Sequence, residues 1–294
     1  MTQAFPPPSG HQPPSASELQ AIAAILYEYA GIVINPNKSS MVQSRLAKRL
    51  RKLGLSDYQG YIALVKSEEG ASERREMISA LTTNVTHFFR EKHHFDTLRE
   101  KALPPLLARA KAGGRVRIWS AGSSNGQEAY TIAMVLTEMC SEVGSRDVRI
   151  LASDIDPVMI ARGTRGVYDS AALDGIPEPL QKKYTRPHPE GFEIVPQLRQ
   201  LVSFRELNLH ETWPMKGRFD IIFCRNVVIY FDQPAQTRLW QRFEACLNPG
   251  GWLFVGHSER VPLGGASRLE TAGITTYRLP EEGAVQTIGE SRWP

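Results

Sequence analysis

From Val116 onward, short apolar runs alternate with helical stretches, and this rhythm constrains the fold more than any other feature of the chain. "VRIWSAG" (Val116–Gly122), "VRILASDID" (Val148–Asp156), "DIIFCRN" (Asp220–Asn226) and "WLFVG" (Trp252–Gly256) read as strands. Gly126–Met139, the start of a short helix at Met159–Arg162, and Ala235–Leu247 read as helices between them. Strands alternating with helices imply βαβ units and a mostly parallel sheet, so the fold class is α/β. Parallel sheets bind ligands outside the carboxyl ends of their strands. The run Ile221–Phe223 delivers Arg225 and Asn226 to such an end, and a second apolar run then leads to Tyr230. Between Tyr168 and Leu207 the rhythm breaks. "FEIVPQLRQLVSFREL" reads as short antiparallel strands, with "RPHPEG" as a turn, so an inserted antiparallel β-subdomain is expected over about 169–206.

The first half has a different period. From Ser15 to about Leu81 the pattern is helical, with no convincing strand. Ser15–Glu18 and Ser17–Gln20 both have capping-box spacing. Leu19, Ile22, Leu26 and Tyr29 repeat at helical intervals, and Gly31 is a stop. A second helix runs from near Ser39 to Gly54, Tyr58–Val65 marks a third, and Met77–Leu81 a fourth. The layout expected is a disordered Pro-rich arm (1–16), a small all-α domain (17–82), a linker (83–95), an α/β domain (96–280) and a flexible tail (281–294).

Composition narrows the class. With 41% hydrophobic residues the chain can build a core, and no stretch approaches the length of a membrane span. The start has neither a basic region nor an apolar one, so no secretory leader is expected. Three widely spaced cysteines, Cys140, Cys224 and Cys246, fit reduced thiols in a cytoplasmic protein better than a disulfide framework or a structural zinc site. A net charge of +4 is too mild to identify a nucleic-acid binder.

Three stretches carry candidate chemistry. In "WSAGSSNGQEAY" a strand ends in Gly122-Ser123-Ser124-Asn125-Gly126 and a helix begins. Small residues admit close backbone approach and the helix start offers unpaired N–H groups. The stretch is neither a P-loop nor GxGxxG. Glu128, just inside the helix, would repel a pyrophosphate and attract a cationic ligand, although an acid there also suits the helix dipole. In "ASDID", Asp154 stands where nucleotide-binding α/β domains place an acid on ribose hydroxyls, while Asp156, ahead of Pro157, suits a helix cap. In "ALTTNVTHFFREKHHF", polar residues poor in helix interiors precede Phe88, Phe89 and Arg90, a strip that can lie over a cleft between domains. His93 and His94 are adjacent and are not expected to face one metal. No metal site is expected.

Taken together, "LTTNVTHFFRE", "WSAGSSNGQEAY", "ASDID", "IFCRNVVIYFD" and "LFVGHSE" occur in the order seen in the CheR-type chemoreceptor glutamate methyltransferases, which the chain resembles from about Ser17 to Leu279. The resemblance implies an S-adenosylmethionine-dependent, Rossmann-like methyltransferase domain with an inserted antiparallel β-subdomain, preceded by a small all-α domain. It implies methyl transfer from S-adenosyl-L-methionine to receptor glutamates, with S-adenosyl-L-homocysteine as product. It implies cofactor contacts at Asn84, Thr86, Arg90, Gly122, Glu128, Asp154, Asn208, Leu209, Arg225 and Asn226, with Arg90 and Tyr230 nearest the methyl. The family commonly has Thr, Glu and Pro where this chain has Asn125, Gln127 and Ala129.

The implied partner is the cytoplasmic helical domain of methyl-accepting chemotaxis receptors, bound without membrane insertion or nucleic acid, by a monomer. Arg45, Lys48, Arg49 and Lys52 share one helix face, while Val42, Leu46, Leu50 and Leu53 form another. Charge runs are usually solvated faces, but the resemblance favours recognition of acidic receptor helices. Some family members also dock on a receptor's C-terminal pentapeptide through a Gly-containing loop of the β-subdomain. Here "YTRPHPEGFEI" has Pro187, Pro189 and a single glycine, Gly191, so a tether-independent enzyme is expected. The alternatives are a methyltransferase for RNA or a small molecule, and a cofactor-binding regulator without turnover.

Overall fold

Ser15 starts the first helix. Its hydroxyl accepts from the Glu18 N–H at 3.3 Å, and the Glu18 carboxylate accepts from the Ser15 N–H at 2.7 Å, closing a capping box. The computed structural model describes residues 13–265 and 267–281, so nearly all of the expected arm and tail lies outside the described residues. Helix α1 (Ala16–Ala30) stops at Gly31, whose φ of +68° suits glycine. It packs with α2 (Ser39–Leu53), α3 (Tyr58–Lys66) and α4 (Ala71–Leu81) around Ile22, Leu26, Val42, Leu46, Leu50, Tyr61 and Met77. Leu53, expected on the apolar face of α2, is exposed instead, because the helix ends at Gly54 before a partner reaches it.

The chain continues through α5 (Lys92–Thr97), α6 (Leu103–Lys111), β1 (Val116–Ala121), α7 (Gln127–Met139), β2 (Val148–Asp154) and α8 (Pro157–Arg165). Next come β3 (Val167–Tyr168), α9 (Glu178–Tyr184), β4 (Thr185–His188), β5 (Gly191–Ile194), α10 (Pro196–Arg199) and β6 (Val202–Glu206). The last elements are β7 (Phe219–Cys224), α11 (Gln233–Cys246), β8 (Leu247–Val255), β9 (Glu270–Gly273) and β10 (Thr276–Arg278).

Seven strands form one sheet in the order β6-β2-β1-β7-β8-β10-β9. The first five are parallel, and the β9–β10 hairpin closes one edge antiparallel. Alternate residues serve two cores. Ile118, Ile221 and Phe223 face the core that holds α7, while Trp119, Ile222 and Cys224 face the core that holds α11. A sheet buried on both faces explains why its central strands read as continuous apolar runs. The small sheet is β3-β5-β4, all antiparallel. Its extent departs from expectation. "VSFRE" does not belong to it but forms β6, parallel to β2 at the edge of the main sheet.

The order reverses between β1 and β7. Chain leaving the two strands there runs to opposite sides, which opens a crevice at their carboxyl ends. The polar residues after Phe223 arrive at this crevice.

Candidate active site

The crevice is a cleft of about 1040 Å³, counted out to its open mouth. β1 and β7 supply its floor, the strip Thr82–Arg90 one wall, and the chain after α1 part of the rim. Gly122 turns the chain out of β1 with φ +74°, and a Cβ there would meet Val227 at 2.3 Å, so glycine lets the two strand ends meet. Ser124, also in the left-handed region, donates its N–H to Asp154 at 2.7 Å and its hydroxyl to the Asn84 carbonyl at 3.0 Å.

The two acids of "ASDID" separate. Asp154 lines the cleft, buried, and each of its oxygens accepts one backbone N–H, from Ser124 and from Asp156. Burial pushes its pKa up to about 6 against the pull of those N–H groups. Asp156 caps α8 through the Val158 N–H at 2.9 Å and accepts from Ser79 and Asn84, fastening the helical domain and the linker to the sheet.

A buried charge cluster lies under the cleft. Arg225 donates to Glu128 at 3.1 Å, stands 3.2 Å from Glu91 and donates to the Arg90 carbonyl. Ser120 donates to the other Glu128 oxygen at 2.7 Å. Burial raises the Glu128 pKa, opposed by Arg225 and Ser120. Burial would also raise Glu91, but Arg225, with help from His257, holds it at about 2. Among the described residues, Glu91, His93 and His94 bring ligand atoms within 4.8 Å of one another, and the histidine ring centres are 4.2 Å apart despite their adjacency in the chain. The Arg225 guanidinium already supplies the positive charge that a cation would bring there.

Glu259 organises the other wall. Its buried carboxylate accepts four backbone N–H groups, from Asn226 (3.0 Å), Val227 (2.8 Å), Val228 (2.8 Å) and Gly256 (2.6 Å). They hold the turn from Asn226, at φ +60°, toward Tyr230. The Val33 N–H donates to the Tyr230 carbonyl at 2.8 Å, Ile32 bridges to Phe231, and the Tyr27 hydroxyl donates to Asp232 at 2.8 Å. The helical domain therefore helps to place the tyrosine.

Asn84, Thr86, Arg90, Gly122, Glu128, Asp154, Asn208, Leu209, Arg225, Asn226 and Tyr230 all line this one cleft. Two amides are committed elsewhere. Asn84 donates to Asp156 at 2.7 Å, and Asn208 donates to the Tyr29 carbonyl at 2.5 Å. Asn125, Gln127 and Ala129, where the chain departs from the family pattern, are not among the lining residues. Glu91 and Glu259 were missed as site residues. Both stand inside the quoted motifs, but their partners lie far along the chain.

The basic face of α2 needs correction. Arg49 grips the buried Glu73 through Nε (2.9 Å) and Nη2 (2.5 Å), and Glu76 at 2.7 Å, while Tyr61 also donates to Glu73. Arg45 donates to the Thr82 carbonyl at 2.6 Å and the Ala80 carbonyl at 3.3 Å. Both arginines hold α2 to α4 and its end. The exposed cations of α2 are Lys48, Arg51 and Lys52.

Comparison with known proteins agrees over almost the whole chain. Residues 17–82 match the family described as CheR methyltransferase, all-alpha domain, and residues 84–278 the one described as CheR methyltransferase, SAM binding domain. The chain is 49% identical over 263 residues to a probable chemotaxis protein methyltransferase of Rhizobium etli, covering 88% of this chain and 98% of that one. It is 41% identical over 267 residues to chemotaxis protein methyltransferase 2 of Pseudomonas aeruginosa, covering 88% and 92%. It is 39% identical over 277 residues to the chemotaxis protein methyltransferase of Escherichia coli, covering 91% and 92%.

Proposed function

The chain belongs to the CheR family of S-adenosylmethionine-dependent methyltransferases, and from that premise we propose that it methylates glutamate side chains of chemotaxis receptors. The observation that carries this reading is one cleft lined by Arg90, Tyr230, the buried Asp154 and the half-buried Glu128.

The donor set fits the cofactor. Each Asp154 oxygen keeps a lone pair after accepting one N–H, which suits ribose hydroxyls. Glu128 is an anion for an amino group, and Gly122 presents no Cβ. When bound, S-adenosylmethionine supplies a methyl group made electrophilic by its sulfonium. The acceptor needs no general base, because a glutamate with a reference pKa of ~4.3 is already ionised at neutral pH. Charge disappears as that anion becomes a neutral ester. A tight clamp on the carboxylate would therefore stabilise the ground state more than the transition state. Arg90 donates to the Val85 carbonyl at 2.9 Å and is thereby held as an orienting group, with the Tyr230 hydroxyl to align the acceptor.

The test is radiolabelled methyl transfer to receptor-bearing membranes, with base-labile release of methanol. Label that stays put in base, or goes only to RNA, would sink the reading. Tyr230→Phe is expected to lower this rate while calorimetric cofactor affinity stays near wild type. Asp154→Ala should weaken cofactor binding by about 1–3 kcal/mol. In the wild type, affinity should fall as the pH drops through about 6, because the buried carboxyl then takes up a proton and loses acceptor capacity. In Asp154→Asn that pH dependence should vanish; an identical profile in both proteins would remove the ribose role.

For the receptor, acidic helices would meet the exposed cations of α2. Reversing Lys48 and Lys52 to glutamate should raise the receptor KM, and added salt should slow the wild type, since exposed charges are screened over about 8–10 Å. Arg49 stays out of this test, because its reversal would strand Glu73. The small sheet ends in β4, and Pro187 within that edge strand lacks an N–H for an added peptide strand. The pentapeptide ending of tether-bearing receptors, Asn-Trp-Glu-Thr-Phe, should therefore not inhibit the same assay. Insensitivity to both charge reversal and salt would return α2 to a solvated face, and micromolar inhibition by the peptide would establish a tether site.

A further inference from the structure

Of the five stretches that carry the family pattern, "LFVGHSE" alone supplies no residue to the lining of the cleft. Its last four residues, 256–259, form a turn in which the Glu259 N–H donates to the Gly256 carbonyl at 2.9 Å. Arg260 braces that turn, donating to the His257 carbonyl at 2.9 Å and the Glu259 carbonyl at 2.6 Å. The turn reaches in two directions. Glu259 accepts from Asn226, Val227 and Val228, the backbone that leads to Tyr230. His257 reaches the opposite wall, where its N–H and its Nδ1 donate to one Glu91 oxygen at 3.3 and 3.1 Å. An ionised carboxylate only accepts, so the contact places the ring proton on Nδ1.

Glu91 is a residue that has to be held. Arg90 stands between two left-handed residues, Phe89 at φ +53° and Glu91 at φ +57°. Outside glycine this conformation is costly and persists only where the surroundings fix it. Arg225 fixes it from below, donating to the Arg90 carbonyl and standing 3.2 Å from Glu91. His257 fixes it from across the cleft. The Arg90 side chain takes its direction from this backbone. We propose that His257 is a positioning residue for methyl transfer. With Glu259 two residues on, it clasps the Arg90 wall to the Tyr230 wall and so sets the spacing of the two groups that orient the acceptor. Because the acceptor needs no base and gains nothing from a tight clamp, that spacing is where rate is won or lost. The inference rests on the glutamate reading above for the roles of Arg90 and Tyr230. The His257 side chain is 66% exposed, so no core depends on it.

The test uses the full chain with a receptor cytoplasmic fragment. His257→Ala should lower kcat about tenfold, within the range that a small misplacement of reacting groups costs. The fragment KM, the calorimetric cofactor affinity and the urea midpoint should stay at their wild-type values. His257→Asn should recover most of the rate, because its amide nitrogen can take the place of Nδ1 as a donor to Glu91. In a Tyr230→Phe background, His257→Ala should cost less than it costs the wild type, since one of the two groups being spaced has lost its hydroxyl. An unchanged kcat, a loss carried by KM, a fall in stability that tracks the fall in rate, an asparagine no better than alanine, or two losses that simply multiply would overturn the clasp alone. A wild type that leaves the fragment unmethylated would overturn the glutamate reading and the clasp with it.

Discussion

Glu259→Gln should destabilise the protein by about 2–4 kcal/mol and lower turnover by more than it lowers cofactor affinity, and Glu259→Ala should cost more. The expectation follows from counting donors. Four backbone N–H groups converge on one carboxylate, two on each oxygen. A glutamine keeps one acceptor oxygen and turns its NH₂ toward the other two donors, so two N–H groups lose their partner inside the protein. Alanine leaves all four without one. No backbone adjustment is at hand to rescue them. A Cβ at Gly256 would already stand 2.7 Å from the Asn226 N, and Asn226 is held at φ +60°. Turnover suffers most because the turn leads to Tyr230, whereas Asp154 and Glu128 rest on β2 and α7. Urea unfolding and steady-state kinetics on the glutamine variant check both parts. A variant as stable and as fast as wild type would show that the turn holds itself.

A sequence exposes local interactions far better than distant ones. The strand–helix rhythm is legible because periodicity is local, and the Ser15 cap and the Gly31 stop are legible for the same reason. Strand order is not local. Nothing in "VRIWSAG" and "DIIFCRN" says that their carboxyl ends diverge side by side, and nothing in "VSFRE" says that it pairs with β2. The role of Glu259 was illegible because its partners are backbone groups, which every sequence contains. Arg45 and Arg49 were misread because helical spacing identifies a face but not what packs on it. Glu73 and Glu76, on α4, tie down Arg49, and the carbonyls of Ala80 and Thr82 tie down Arg45, so two of the four cations are structural. The two asparagines show a finer limit. Asn84 and Asn208 line the cleft, yet their amides point to Asp156 and Tyr29. Glu91 is adjacent to Arg90, but left-handed residues at Phe89 and Glu91 turn its carboxylate toward Arg225.

Removing Arg225 should be as damaging, and its effect should depend on pH in a defined direction. The guanidinium is almost fully buried between Glu91 and Glu128. Breaking a buried pair by removing one member leaves an uncompensated charge, at about 3–5 kcal/mol. Arg225→Met keeps the volume and removes the charge. In the wild type Glu91 is depressed to about 2, so its stabilising contribution is present above the unfolded carboxylate value and is lost as the pH falls toward 2. In the variant, only the His257 contacts still oppose burial, and the folded pKa of Glu91 is expected to rise above the unfolded one. The resulting penalty is absent at low pH and grows as the pH climbs past ~4.3. His94 acts in the same sense. Burial and then Arg225 hold it down to about 3, so losing the cation makes its protonation easier in acid. The stability gap between wild type and Arg225→Met should therefore be widest near neutrality and should narrow steadily from about pH 5 downward. Urea unfolding of both proteins at pH 7 and at pH 4 measures it. A gap of equal size at the two pH values would mean that Arg225 acts through packing, over the Phe95 ring 5.6 Å away, and not through the charges it separates.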